Sequence, residues 1–306
     1  MSKDFKAQIK QIRKESFPGT FDIVHTTFLN LGLDKESPEF FHQNASSVVE
    51  RLRSHNWESV LQFEKMFSIR LYRSLIRENI EKLDPRAAIE DYIEQNVDNF
   101  YTLSLSNTQS RRSRAGGEFE AIISHLFMGA KLPFDEQGLI GTGVFADKNL
   151  AKLVDHVVPG AIEYQNNKRA TLAISAKTTL RERWQQIGDE MQRTRMPEMY
   201  LATLDEKISH NTLVQLRDNN IYPVTTQAIK ENCYSANNLV LTFEELLDIS
   251  KEKVAHWGID SFSDEQIDEK IEMISHSMTQ HQEKYYVVDY LQHRLEFFNS
   301  TKDAEN

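Results

Sequence analysis

The spacing of apolar residues predicts that the first third of the chain is helical. Between residues 45 and 93, apolar side chains recur three or four positions apart, as at Val60 and Phe63, which places them on one face of a helix. The pattern is broken near Asp84 and Pro85. We therefore predict a helical N-terminal portion.

The rest of the chain alternates short β-type runs with helical patterns. We predict strands over residues 138–145, 152–158, 170–177, 199–204 and 221–225. We predict helices over residues 184–193, 209–219 and 243–249, and one long amphipathic helix over 263–298 with Ser263 as its N-cap. The 170–177 strand should pair with the segment before it, and 199–225 should form a β-α-β unit. This order predicts a mixed sheet with crossover helices, an α/β architecture.

A polar segment separates the helical portion from the strands. The sequence SLSNTQSRRSRAGG, over residues 104–117, ends in two glycines and predicts a loop or hinge. A helix is predicted from Glu118 to Met128, with Glu118 and Glu120 near its positive N-terminal end. We divide the chain into three parts: residues 1–103, 104–250 and a C-terminal helical extension over 251–306.

Composition and charge limit the function classes. The 306 residues are 40% hydrophobic and 27% charged, which suits a globular protein with an ample core. A single cysteine, the absence of an apolar run long enough to cross a bilayer and a polar N-terminus predict a cytoplasmic protein. The net charge of −10 argues against broad coating of nucleic acid, but a local basic cleft is compatible with it. Arginines do cluster, at positions 111, 112, 114, 181, 183, 193 and 195.

Candidate chemistry lies on the 170–177 strand and its neighbours. Lys177 ends the strand, and Asp155 interrupts the apolar run KLVDHVV, where an unpaired acid is costly to bury. With Glu190 from the following helix and Glu120 behind, these groups form a hard-cation site with a lysine beside it. A magnesium ion bound there could coordinate a phosphate oxygen while the lysine orients an attacking water molecule. Such a trio arises by chance in many chains, so its spacing alone is weak evidence for phosphodiester hydrolysis.

A charged triplet follows the candidate lysine. Arg181, Glu182 and Arg183 stand at the junction between the strand and the next helix. Such a triplet is commonly a solvated charge run. Arginine also reads guanine bidentately in the major groove, and glutamate accepts a hydrogen bond from cytosine N4, so the triplet could read adjacent G·C pairs.

The residues SAKTTLRERWQQI, with SRRSRAGGEFE upstream, resemble the signature of the type II restriction endonucleases of the SsoII, EcoRII and PspGI group, and most of all its SsoII-like enzymes. The resemblance implies a PD-(D/E)xK nuclease core, a mixed central sheet flanked by helices, within residues 104–250. It assigns Asp155 as the first metal-binding aspartate, Lys177 as the motif lysine and Glu190 as the displaced second metal-binding carboxylate. Glu120 matches an additional acid.

Two positions depart from the general nuclease pattern. Val154 stands where the motif has proline, and Ser175 stands where it has an acid. Without Glu190, the face that carries Lys177 would have no second carboxylate. The second metal ligand therefore depends on the orientation of Glu190.

The resemblance also implies how DNA is read. It assigns Arg181, Glu182 and Arg183 to the inner C·G pairs of a CCNGG-type site and Gln109 to the outer pair. It implies Mg²⁺-dependent cleavage of double-stranded DNA before the first C, which leaves 5′ overhangs. The implied partners are a second copy of the chain, with a contact that the C-terminal extension could carry, and a cognate DNA methyltransferase in a bacterial cytoplasm.

The odd number of base pairs leaves the central pair unmatched in a two-fold dimer. Relatives in this group flip the central bases, which requires an aromatic platform. Trp57 and Arg53, one helical turn apart among polar neighbours, could stack a flipped base between indole and guanidinium. Alternatively, Trp57 is a half-buried side chain that covers the core. Trp184, at the core-facing start of a helix, is predicted to be structural.

Two other hypotheses assign the protein to different functional classes. A DNA-binding regulator could keep the reading triplet and lack catalysis because Ser175 breaks the motif; it would shift DNA in a gel without cleaving it. A helical interaction protein with coincidental charges would show no salt-dependent affinity for DNA. The central base preference and the choice between a dimer and a higher oligomer stay open.

Overall fold

The computed structural model describes residues 3–140, 150, 154–180, 191, 193, 195–235 and 237–302. The chain divides into two compact units. Unit 1 comprises Met1–Thr27 and Leu52–Ala121, and unit 2 comprises Phe28–Arg51 and Ile122–Asn306. Among the helices of the described ranges, none is both long enough and apolar enough to span a bilayer.

Helices account for most of the described chain. Their bounds are α1 Lys3–Ser16, α2 Thr20–Asn30, α3 Pro38–Ser74, α4 Pro85–Gly129, α5 Gln137–Ile140, α6 Ala161–Asn166, α7 His210–Asp218, α8 Gln227–Cys233, α9 Phe243–Val254, α10 Asp264–Gln280 and α11 Tyr285–Lys302. The predicted helical N-terminal portion is confirmed, as is the interruption before Pro85, which is the first residue of α4. The long helices α3 and α4 each contribute residues to both units.

Unit 1 is held together by apolar faces of α1, α3 and α4. Phe63, Phe67 and Leu71 recur at steps of four on α3 and so form one face, and Leu103 contributes from α4. The buried members of this cluster are Phe5, Ile9, Ile12, Phe17, Phe67, Leu71 and Leu103. The core of the unit therefore comes mainly from helix packing, with Phe17 contributed by the turn after α1.

The predicted loop over residues 104–117 is wrong, because α4 continues through it without interruption. Serines, asparagine and glycines have weak helix propensity, and a glycine costs about 1 kcal/mol relative to alanine inside a helix. Tertiary contacts outweigh that cost: Leu103 is fully buried, and Asn107 donates a 3.2 Å hydrogen bond to Ser68 on α3. The predicted position of Glu118 and Glu120 in a first helical turn is therefore also wrong.

Unit 2 contains a six-stranded mixed sheet. Its strands are β1 Asp135–Glu136, β2 His156–Val158, β3 Leu172–Lys177, β4 Met199–Thr203, β5 Ile221–Thr225 and β6 Leu241–Thr242, in that spatial order. β1, β2 and β3 pair antiparallel, whereas β3 to β6 pair in parallel. The predicted mixed sheet, the pairing of the 170–177 strand with the preceding segment and the β-α-β unit are confirmed.

Two strand predictions need correction. Residues 137–140 form the short helix α5, so the strand predicted over 138–145 is wrong where it is described, and 141–149 lie outside the described residues. β2 begins only at His156, and 151–153 lie outside the described residues. An amphipathic or glycine-rich run this short carries too little periodicity to distinguish a strand from a helical turn.

The long helix predicted over residues 263–298 is in fact two helices, α10 and α11. The chain turns after Gln280, and Lys284 N–H donates a 2.8 Å hydrogen bond to the carbonyl oxygen of His281. Both helices keep an apolar face, so the periodicity continues across the turn and hides it. The prediction of Ser263 as the N-cap is confirmed, since its side chain accepts from Gln266 N–H.

Candidate active site

Antiparallel pairing brings Asp155 and Lys177 together. His156 lies opposite Ile174 in the β2–β3 ladder, and Asp155 N–H extends the ladder with a 2.9 Å hydrogen bond to the carbonyl oxygen of Ile174. Asp155 thus enters β2 at the end of the sheet where β3 finishes at Lys177. The register of the two strands therefore fixes both backbones before any side-chain contact forms.

The Asp155 carboxylate binds both a backbone donor and a cation. Its Oδ2 atom accepts a 2.6 Å hydrogen bond from Ala176 N–H and lies 3.1 Å from the Lys177 ammonium nitrogen. The side chains of Asp155 and Lys177 are 23% and 18% exposed, so water screens this ion pair less than a surface pair. The expectation that Asp155 needs a cation or a donor is confirmed, because it has both.

Ser175 is fully buried within β3. It therefore places no carboxylate beside Lys177, which agrees with the departure noted from the sequence. Glu190, which was predicted to supply the second carboxylate, lies outside the described residues, as do Arg181, Glu182, Arg183 and Trp184. Within the described ranges, no three histidine, cysteine, aspartate or glutamate side chains are grouped to hold a metal ion.

Asp205 holds the chain that leads into the charged triplet, a role the sequence did not reveal. Its Oδ2 accepts a 2.8 Å hydrogen bond from Leu180 N–H, and its Oδ1 accepts a 2.9 Å bond from Lys207 N–H. Leu204 N–H also donates to the carbonyl oxygen of Thr178. The last described residues before the triplet are thus tied to the segment that follows β4. An aspartate just after a strand was the available signal.

In unit 1, Trp57 and Arg53 lie one turn apart on α3, as predicted. The Trp57 side chain is 39% exposed, whereas Arg53 is partly buried. The Arg111 guanidinium lies over the Trp57 ring, 5.8 Å from its centroid. Gln109 is exposed on α4. The indole is therefore neither a core side chain nor an isolated surface residue.

Two glutamates near the end of α4 differ in environment. Glu120 is partly buried. Glu118 is only 3% exposed, and burial raises the pKa of its carboxyl group, while neighbouring Asn56 and Arg53 act in the opposite direction with smaller effect. Glu118 therefore lies in the packed interior close to the proposed base-stacking residues.

We expect Glu118→Gln to raise the melting temperature at pH 7. The folded-state pKa of Glu118 is raised, so its ionisation disfavours folding once the pH rises above the unfolded-state value of 4.5. The gain from Glu118→Gln should disappear as the pH is lowered below about 4. Thermal unfolding between pH 3.5 and pH 8 measures this, and a gain that is independent of pH would contradict it.

Comparison with known proteins identifies the family. The family model described as EcoRII C terminal matches residues 76–247. The chain is 43% identical over 297 residues to the type II restriction enzyme SsoII of Shigella sonnei, which covers 95% of this chain and 96% of that enzyme. The chain belongs to the type II restriction endonucleases of the SsoII and EcoRII type. It is also 25% identical to the type II restriction enzyme EcoRII of Escherichia coli, over 63% of this chain and 47% of that enzyme.

Solved structures of restriction endonucleases have the same fold. Metal-depleted Ecl18kI, in complex with uncleaved, modified DNA, matches with a TM-score of 0.89 and 41% identity, over 96% of this chain and 98% of that one. A PspGI–substrate DNA complex matches with a TM-score of 0.57 and 15% identity over 80% of this chain and 96% of that one, which shows the fold alone. The PD-(D/E)xK nuclease fold predicted for this endonuclease is confirmed. The EcoRII C terminal model spans Asp155 and Lys177 but not Trp57 or Arg53.

Proposed function

We propose that this endonuclease hydrolyses phosphodiester bonds of double-stranded DNA at a CCNGG-type site, before the first C. The observation that carries the proposal is the contact between the Lys177 ammonium and the Asp155 carboxylate at the end of the sheet. The SsoII and Ecl18kI relatives support it, since SsoII is a type II restriction enzyme and Ecl18kI has a solved structure in complex with DNA. Family membership favours this activity over the regulator and the helical interaction protein.

Lys177 is proposed to act on the attacking water. Its ammonium is held 3.1 Å from Asp155 Oδ2 and keeps two further N–H donors. One of these can orient a water molecule toward phosphorus, and the positive charge stabilises the negative charge that develops on the phosphate. Because the Lys177 side chain is only 18% exposed, that charge acts with less screening than it would on the surface.

The donor set of the site suits magnesium. Mg²⁺ binds one or two carboxylates and keeps several waters, so Asp155 and Glu190 would suffice as protein ligands. Both described hydrogen bonds to the Asp155 carboxylate use Oδ2, which leaves Oδ1 as the oxygen that would hold the ion. When bound, the ion supplies positive charge to a phosphate oxygen and lowers the pKa of water. Glu120 stays a proposed additional acid.

The charged triplet is proposed to read the inner C·G pairs. Arg181 and Arg183 match guanine O6 and N7, and Glu182 matches cytosine N4. The hydrogen bond from Leu180 N–H to Asp205 supports this role, because it fixes the chain directly before the triplet. Gln109, exposed on α4, is proposed to contact the outer pair.

The central bases are proposed to be flipped onto Trp57. Its 39% exposure and its position one turn from Arg53 provide an indole face and a nearby guanidinium for stacking. Unstacking a base from the duplex costs a few kcal/mol. Stacking the base on an aromatic side chain contributes roughly 1–3 kcal/mol and so offsets much of that cost.

Cleavage of two matched duplexes tests the proposal. One duplex carries CCNGG, and the other exchanges the inner C·G pairs for T·A pairs. With Mg²⁺ we expect cleavage of the first duplex only, and with excess EDTA we expect cleavage of neither. Equal cleavage of both duplexes would contradict base reading by the triplet, and full activity in EDTA would contradict the metal requirement.

A symmetric site implies a homodimer, and a restriction system in a bacterial cytoplasm implies a cognate methyltransferase. We propose that the C-terminal extension carries the dimer contact, where Phe297 is 48% exposed on α11. A second exposed apolar surface runs along α4 at every fourth residue, and its members are Ile89, Ile93, Val97, Tyr101 and Leu105.

Measuring the molecular mass by light scattering distinguishes between the two candidate dimer surfaces. The wild-type protein is expected to have the mass of two chains. We expect Phe297→Glu to lower that mass and Val97→Glu to leave it unchanged. The opposite result would move the proposed contact to α4, and a wild-type mass of one chain would contradict the dimer.

A further inference from the structure

An ion pair between α3 and α4 lies directly at the proposed stacking residue. Arg111 Nε donates a 2.8 Å hydrogen bond to Glu64 Oε2, and Arg111 Nη2 contacts Glu64 Oε1. Guanidinium and carboxylate therefore meet through two parallel bonds, the geometry that most restricts an arginine. The Glu64 side chain is only 12% exposed, so its charge is largely removed from water and needs this partner.

The same guanidinium lies over the Trp57 indole, 5.8 Å from the ring centroid. An arginine at this distance is attracted by the electron-rich ring face. Because Glu64 holds the guanidinium through two hydrogen bonds, the movement of Arg111 over the indole is restricted. One face of Trp57 thus carries a restrained cation, so a base that stacks on the indole would have to use the other face.

We propose that Arg111, held by Glu64, is a positioning residue that fixes the Trp57 indole to receive a flipped base. This inference rests on the proposed base flipping and deepens it. A tryptophan that is 39% exposed on a helix surface would otherwise sample several side-chain rotamers. If the indole is already held in one orientation before DNA binds, the flipping step does not have to include the loss of side-chain conformational entropy.

The Arg111–Glu64 pair is distinct from the other arginines of α4. Arg114 lies over the Phe17 ring, 4.3 Å from its centroid, and so belongs to the core of unit 1. Arg112, the neighbour of Arg111, is exposed. Arg112→Gln therefore removes the same charge from the same helix and serves as the matched control for Arg111→Gln.

The test measures 2-aminopurine fluorescence at the central position of a CCNGG duplex, with saturating full-length protein and EDTA to prevent cleavage. For the wild-type protein we expect a rise when the base leaves the stack. Arg111→Gln and Glu64→Gln should each reduce that rise by about two- to fivefold, the loss that corresponds to one exposed cation–π contact. Arg111→Lys keeps the charge but not the two parallel bonds, so we expect an intermediate rise, and Arg112→Gln should match the wild-type protein.

The outcomes separate this inference from the proposed function. If the wild-type protein gives a rise and Arg111→Gln gives the same or a larger one, the positioning role is wrong and the base flipping stands. A larger rise would mean that Arg111 blocks the stacking face. If the wild-type protein gives no rise, base flipping and the positioning role both fail. Should Arg111→Gln not fold, Arg111→Lys and Glu64→Gln decide the same question.

Discussion

Replacing Lys177 with alanine is expected to abolish cleavage while leaving DNA binding almost intact. In the proposed mechanism Lys177 contributes a positioned charge and proton donors at the reacting phosphate, and such groups are worth about 10²- to 10⁴-fold in rate. Among the described residues, the Lys177 side chain contacts Asp155 through its ammonium nitrogen at the end of β3, so its removal should leave the strand pairing in place. Single-turnover cleavage of a CCNGG duplex measures the rate, and a gel shift in Ca²⁺ measures the affinity.

Lys207→Ala is the matched control for Lys177→Ala. Lys207 is exposed and follows β4, so its replacement removes one positive charge near the same region of the sheet without reaching Asp155. We expect Lys207→Ala to cleave at close to the wild-type rate. If Lys177→Ala also cleaves at that rate, the assigned role of Lys177 is wrong. If Lys177→Ala loses binding by as much as it loses cleavage, Lys177 contributes affinity and not catalysis.

The second large effect is expected at a cluster of four buried charges in unit 2. Arg294 Nη2 lies 2.8 Å from Asp135 Oδ1, and Lys270 Nζ lies 2.7 Å from Glu163 Oε2, with all four side chains at most 6% exposed. Asp135 Oδ2 also accepts a 2.8 Å hydrogen bond from Ala161 N–H. Each charge in this cluster is therefore compensated.

Arg294→Met should lower the free energy of unfolding by about 3–5 kcal/mol, because it leaves the buried Asp135 carboxylate without its cation. Adding Asp135→Asn should recover part of this loss, since asparagine carries no charge and still accepts from Ala161 N–H. Arg86→Met removes an arginine from an exposed pair with Glu90 and should have little effect. Urea unfolding measures all three variants, and an Arg294→Met protein as stable as Arg86→Met would refute the argument.

The loss of stability caused by Arg294→Met should depend on pH in a predictable direction. Burial alone would raise the pKa of Asp135, but Arg294, Lys270 and the Ala161 N–H together hold that pKa below its usual value. Its contribution to stability is therefore complete above the unfolded-state pKa of 3.8 and is lost as the pH falls toward the folded-state value. The difference in the free energy of unfolding between the wild-type protein and Arg294→Met should accordingly become smaller below about pH 4.

The contact between Asp155 and Lys177 was predictable because it depends on local patterns. Strand alternation placed Lys177 at the end of β3, and an acid within an apolar run showed that Asp155 needs a partner. The antiparallel pairing of β2 with β3 then brings Asp155 and Lys177 together. The role of Asp205 was not predictable in this way, because it depends on the backbone N–H of Leu180, which lies far away along the chain.

The helical contacts were predicted less well, for a related reason. Residues 104–117 have the composition of a loop, but tertiary contacts favour the helix, such as the hydrogen bonds of Asn107 with Arg13 on α1 and Ser68 on α3. Once α4 is continuous, its register against α3 brings Arg111 onto Trp57 and Glu64, two residues that precede it by more than forty positions. No periodicity within one helix reports the register between two helices.

Sequencing the ends of the DNA fragments from a Mg²⁺ digest of a plasmid tests the central claim most directly. Every end should begin at a CCNGG site, with the strand broken before the first C and a 5′ overhang that spans the site. The same digest with Lys177→Ala should give no discrete fragments. Ends at unrelated sequences, or a wild-type protein that leaves a plasmid with several CCNGG sites intact, would contradict the account.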